Sequence, residues 1–189
     1  MDQDKKERVQ NTTLDRINFW IGNADAKVSF VVSFTGVFLG FIFASDSISA
    51  SIKSYIKNVG AMKLQDVKIL LSALSLILFF IAIFFVMRAI YYFLKALQAQ
   101  IKPSEYRQDN LETNSLLFWG TISQSDYATY KQQINTVQNQ ALENDLNSQV
   151  YITSILANRK FAMYNKGLKQ LRNGIIVFVV FKFLTYFPF

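Results

Sequence analysis

The apolar residues of this chain fall in blocks. Val28 to Ala44 reads VSFVVSFTGVFLGFIFA, seventeen residues without a charge, and Ile69 to Met87 reads ILLSALSLILFFIAIFFVM, nineteen more. After Arg88 the second block stays apolar to Leu94. A helix needs ~20 mostly apolar residues to cross the ~30 Å hydrocarbon core of a bilayer. The second block meets that length outright and the first does so with Ser45 added. The pattern predicts two membrane-spanning helices, over 28–45 and 69–94. A third block, GIIVFVVFKFLTYFPF from Gly174 to Phe189, has sixteen residues with Lys182 near its middle. A lysine at the bilayer centre costs ~2.5–3.5 kcal/mol on insertion scales unless it snorkels or faces a polar interior. The segment 174–189 therefore reads either as a third span or as a helix lying in the interface or docked on the first two.

The polar stretches are also patterned. Residues 1–12 are charged and lack a period, which predicts a disordered or frayed start. Leu14, Ile17 and Ile21 then recur at helical spacing, with Thr13 as the N-cap candidate. Pro103 breaks whatever helix continues past the second span. Ser123-Gln-Ser-Asp126 resembles a capping box and opens a long helical pattern. In that pattern Tyr127, Tyr130, Ile134, Val137 and Ala141, then Leu142, Leu146 and Val150, mark a shifting apolar face. The pattern persists through Ile152, Ile155, Leu156, Ala162, Met163 and Leu168, a packing surface for neighbouring helices or another subunit. The expected class is an all-α membrane protein. Its parts are an N-terminal cytoplasmic helix (1–27), the first span, an external loop (46–68), the second span, a cytoplasmic helical bundle (95–173) and the C-terminal block.

Composition and charge narrow the chemistry. The 189 residues are 51% hydrophobic and carry a net charge of +7, with no cysteine and no histidine. Without imidazole or thiol there is no Ser-His-Asp triad, no cysteine nucleophile, and no ordinary zinc or haem site. Carboxylates outside the tail and loop are scattered, so neither a paired acid and base nor a metal spacing emerges. No catalytic residue, metal or cofactor is expected. Five Lys and Arg lie in residues 1–27, four in 45–68 and ten in 88–173. Those near the span ends (Arg16, Lys27, Arg88, Lys95, Lys102) favour a cytoplasmic N-terminus in a multi-pass protein. The polar lead of 27 residues is too long for a secretory signal, so no cleavage is expected.

Two groups of residues stand out. Asn23-Ala-Asp25-Ala-Lys27 carries polar groups just where the chain enters lipid headgroups; anchoring by Trp20 and Lys27 explains it as well as a binding role does. Arg159-Lys160-Phe161, and Trp119 in the irregular stretch, are types that hold a phosphate and stack a base, or hold anionic lipid. Within the first span, Gly36-x-x-x-Gly40-x-x-x-Ala44 allows close helix approach, between the spans of one chain or between chains, although glycine is also simply common in such helices.

Three blocks in order carry a family resemblance. They are Ile17-Asn-Phe-Trp-Ile-Gly-Asn23-Ala-Asp25-Ala-Lys27-Val-Ser29-Phe; Leu116-Leu-Phe118-Trp-Gly120-Thr-Ile122-Ser with Asp126-Tyr127 after it; and Ile155-Leu-Ala157-Asn-Arg-Lys160-Phe161. Together they resemble the Pycsar effector transmembrane family of bacterial anti-phage defence. Val28 stands where that family often has a small residue, which bears on how closely helices approach there. The resemblance implies a receiver of a cyclic pyrimidine nucleotide, cUMP or cCMP, made by a partner cyclase. The activated effector would impair the bacterial inner membrane and cause abortive infection. The expected partners also include the lipid bilayer, from the spans, and further copies of the chain in a homo-oligomer, but no nucleic acid polymer. Asn23, Asp25, Lys27, Trp119, Arg159 and Lys160 become candidate ligand contacts, with Gly36 and Gly40 as helix-packing positions. In that reading Arg159, Lys160 or Lys27 meets the phosphate, Trp20, Trp119 or Tyr127 stacks the base, and Asn23 reads its edge. A membrane toxin or scaffold gated by a protein partner is the competing class, and a transporter a weaker one, since few polar groups lie inside the spans.

Overall fold

In a computed structural model of the chain, every regular element among the described residues is an α-helix. Those residues are 3–44, 48–50, 52–53, 56–57, 67–98, 108 and 110–186. The helices are α1 (Gln3–Ala44), α2 (Val67–Leu97), α3 (Trp119–Ile122), α4 (Tyr127–Thr136) and α5 (Asn139–Tyr186). Most of the 46–68 connection, and Pro103, lie outside the described residues.

Three boundaries differ from the pattern. First, α1 begins at Gln3 and runs unbroken through Thr13, whose hydroxyl donates back to the Val9 carbonyl at 2.8 Å in place of capping. What orders this charged start is tertiary: Lys6 pairs with Glu143, and Gln10 Nε2 donates to Asn147 Oδ1 at 2.6 Å. Second, the N-cap of α4 is Asp126, which accepts from the Thr129 N–H, while Ser123 is the C-cap of α3. Third, the long pattern is interrupted where Val137 turns extended (φ −65°, ψ 136°), and α5 starts two residues later. No glycine or proline marks that break in the sequence.

The chain divides into two compact units. The first comprises Met1–Asp25 and Gln98–Phe161, and the second Ala26–Leu97 and Ala162–Phe189. In the first, the start of α1 runs parallel to the start of α5, with buried Leu146, Ile152 and Leu156 on α5. Polar side chains share that interior: Gln10, Asp145, Ser148, Gln149, Thr153 and Lys160 are all buried.

In the second unit three helical stretches pack together. Val28 of α1 is buried with Ala89, Phe93 and Ala96 of α2 and Leu171 of α5. Further along, Ile42 is buried with Phe79 and Ala82 of α2 and Phe178 and Phe181 of α5. The order of these contacts makes α2 antiparallel to the other two. Close approach comes from glycines of α5: a Cβ at Gly174 would meet Val86 Cγ2 at 2.9 Å and the Ala82 carbonyl at 3.3 Å, and one at Gly167 would strike the Phe93 ring. A Cβ added at Gly36 or Gly40 would meet nothing within 4 Å, so among the described residues these two do not pack the helices together within one chain. The bulk of Val28 is accommodated because its neighbours Ala89 and Ala96 are small.

Two helices, Asp4–Ala44 and Ala73–Leu97, are long and apolar enough to cross a membrane. Only 17% and 28% of their apolar windows are buried inside the chain, where the core helix of a soluble protein would be mostly covered. Phe30 and Val37, each 74% exposed, and Phe80, 65% exposed, present the outward faces. At the far end of α2, Arg88 lies over the Phe84 and Tyr92 rings and Lys95 over Tyr91 at 4.8 Å. Cation–π pairs of this sort, with aromatic rings beside basic groups, suit a membrane–water boundary.

Candidate functional site

The first unit brings two of the sequence-predicted site residues together. Lys160 Nζ donates to Asp25 Oδ1 at 2.6 Å, joining the two helices 135 residues apart in sequence. The partners are unequally placed: the Lys160 side chain is 6% exposed and that of Asp25 is 41% exposed. Next to the pair, Trp20 meets Phe161 edge-on, with ring centroids 6.4 Å apart. Lys160 and Phe161 point from α5 toward α1 because Leu156 and Ile152, four and eight residues earlier, bury the same face.

This arrangement has a chemical consequence. Removing one partner of a fully buried ion pair costs about 3–5 kcal/mol, because an uncompensated charge remains. Here that penalty attaches mainly to Lys160, since a released Asp25 carboxylate has water within reach. Of the two, Lys160 is the buried partner and Asp25 the one open to solvent.

The other predicted residues are dispersed. Asn23 is half-buried on the part of α1 in the first unit, and Lys27 is exposed on the part in the second. Arg159 is half-buried on α5 beside Lys160. Trp119 opens α3 at 75% exposure, with Phe118 as its ring neighbour at 5.3 Å. Tyr127 is 77% exposed in the first turn of α4.

One buried structural carboxylate was not singled out by the sequence pattern. Asp145, only 3% exposed, accepts from the backbone N–H groups of Leu116 at 2.8 Å and Leu117 at 3.2 Å. One turn on, Ser148 Oγ accepts from the Glu112 N–H at 2.9 Å. These two side chains hold the irregular stretch that leads to Trp119. The available signal was a polar pair at i and i+3 on the packing face of a helix, which calls for a partner outside the helix.

Against known proteins, a family model described as the Pycsar effector protein domain matches residues 10–186. The Pycsar effector protein GmPycTM of Gulbenkiania mobilis is 33% identical over 178 residues, covering 93% of this chain and 90% of that protein. No solved structure matches.

Proposed function

The chain belongs to the Pycsar effector family, and so is an anti-phage defence effector with candidate membrane helices; from that premise we propose that it senses a cyclic nucleotide at the Asp25–Lys160 pair. The nucleotide is cUMP or cCMP from a partner cyclase, and sensing leads to impairment of the bacterial inner membrane and abortive infection. The observation that carries this reading is the buried Lys160 ammonium held by a half-exposed carboxylate.

A cyclic monophosphate brings one negative charge and a flat base. Its phosphate takes the place of Asp25 on Lys160, so the buried ammonium is never left without a counter-charge. The base then has Trp20 at hand as a stacking face, half exposed and already beside Phe161. Asn23 and Arg159 supply further hydrogen bonds, and Lys27 and Trp119 are the outer candidates. Ligand shifts the population only if it binds the exchanged state better, and here the difference is the Asp25 contact itself. Because α1 is one unbroken helix from Gln3 to Ala44, release at Asp25 changes what holds its apolar stretch.

The test is thermal unfolding of the detergent-purified chain with a panel of cyclic mono- and dinucleotides. One cyclic pyrimidine monophosphate should raise the midpoint, since a ligand bound only by the folded state stabilises it by mass action. Asp25→Asn should bind that nucleotide more tightly, because the competing carboxylate is gone, and Lys160→Ala should lose the shift. If no cyclic nucleotide moves the midpoint, gating by a protein partner takes its place. A shift that survives Lys160→Ala would move the site elsewhere on the chain.

A further inference from the structure

A cavity of about 250 Å³ lies between the 112–116 loop, the end of α4 and the start of α5, all within the first unit. Its wall includes Glu112, Asn114, Gln133, Thr136, Leu142 and Asp145, and among the described residues no lysine or arginine. Asp145 is the unusual member. One of its oxygens is used by the loop N–H groups; the other, Oδ1, is buried and has no hydrogen-bond partner. Buried polar atoms nearly always find one. A carboxylate oxygen can only accept, so what is missing is a donor.

We propose that this cavity binds a small organic cation of the primary-amine or guanidinium class, with Asp145 as its principal counter-charge. Glu112 adds a second carboxylate, and the side-chain carbonyls of Asn114 and Gln133 offer further acceptors. Two carboxylates, with no basic residue among the described lining, disfavour a phosphate. A divalent metal is disfavoured for another reason: hard cations of this kind take six or more oxygens, and among the described residues no group of three or more acidic or metal-ligating side chains comes together. An ammonium or guanidinium carries three to five N–H donors, enough to satisfy Oδ1 and still reach Glu112 and the amides. Asp145 and Lys160 are fifteen residues apart on α5, about 22 Å at 1.5 Å per residue, too far for one mononucleotide to touch both. The cation site is thus separate from the nucleotide reading and does not depend on it. Its occupant would tie α4 and α5 to the loop that leads to Trp119.

The experiment uses the full-length chain in detergent with agmatine as the probe, following the thermal midpoint and, by calorimetric titration, the affinity. A saturable rise in midpoint is expected, with neutral butylurea giving none. Asp145→Asn keeps an oxygen for the Leu116 and Leu117 N–H groups but places an amide where the charge was, and should weaken agmatine at least tenfold. Glu112→Gln, on an exposed side chain whose backbone N–H makes the Ser148 bond, should weaken it less; should Asp145→Asn fail to fold, that variant decides. No saturable binding, equal binding to both variants, or the same shift from Mg²⁺ at matched ionic strength would overturn the proposal.

Discussion

Lys160 and Asp126 show how differently a charge acts when buried and when exposed. Lys160 is buried and paired with Asp25, so its substitutions are read through the integrity of the α1–α5 pairing and, under the proposed function, through ligand binding. Asp126 works as a solvent-facing cap. Hydrogen bonds from Thr129, the side chain first and the backbone N–H second, hold its carboxyl below the usual aspartate range. A depressed carboxyl stabilises the fold fully above the ordinary aspartate value of about 3.9. That contribution is lost as pH falls through the lowered folded value. Asp126→Ala should therefore unfold at a lower temperature than the parent chain near neutral pH. The difference should shrink only once the pH drops under the ordinary aspartate value, and then vanish. A difference that persists unchanged into strong acid would mean the side chain acts through something other than its charge.

At the scale of elements, the glycines separate into two kinds. Gly167 and Gly174 are buried where α5 meets α2, and the Phe93 ring that a Cβ at Gly167 would strike is itself fully buried. Gly167→Ala should cost about 1–3 kcal/mol, the usual range for overpacking, measurable as a fall in the thermal midpoint. Gly36 and Gly40 face open space in the single chain, so Gly36→Leu and Gly40→Leu should leave that midpoint unchanged. If their face joins neighbouring copies, as small-xxx-small stripes do in lipid, the same variants should abolish both cross-linked oligomers and dye influx into cells making the partner cyclase. Influx at the parent level would remove these glycines from membrane impairment. The two apolar helices were legible because a charge-free run of that length has few other uses. The start of α1 was not legible, because Lys6 and Gln10 are ordered by partners on α5 more than 130 residues away. For the same reason Asp25 and Lys160 could be singled out one by one, but their pairing, and the anchoring role of Asp145, depend on contacts that no local spacing encodes.

For the molecule as a whole, the decisive question is the path of the last apolar segment. The Phe38 and Phe178 rings lie 5.5 Å apart on parallel helices, so Lys182, four residues on, comes level with Ile42. Ile42 is two residues short of the end of α1, about 3 Å at 1.5 Å per residue. Beside α1, then, Lys182 does not sit at mid-depth but near the far edge of the apolar stretch, where a lysine reaches headgroups along its own alkyl stem. Its ammonium also lies over the Phe178 ring at 5.7 Å. Exposed Ile176, Val179, Val180 and Phe183 give this segment the same outward apolar face as its neighbours. These features fit a third crossing only if Lys169, Arg172 and Lys182 all snorkel outward, since the ten residues from Arg172 to Lys182 rise about 15 Å. The expectation of a cytoplasmic N-terminus then puts the C-terminus outside. Alkaline phosphatase, which is active only outside the inner membrane, should then be active when fused after Phe189. A fluorescent protein that matures only in the cytoplasm should stay dark there and be bright at the N-terminus. A bright C-terminal fusion with inactive phosphatase would return the segment to the cytoplasmic face and make the bundle a two-span protein.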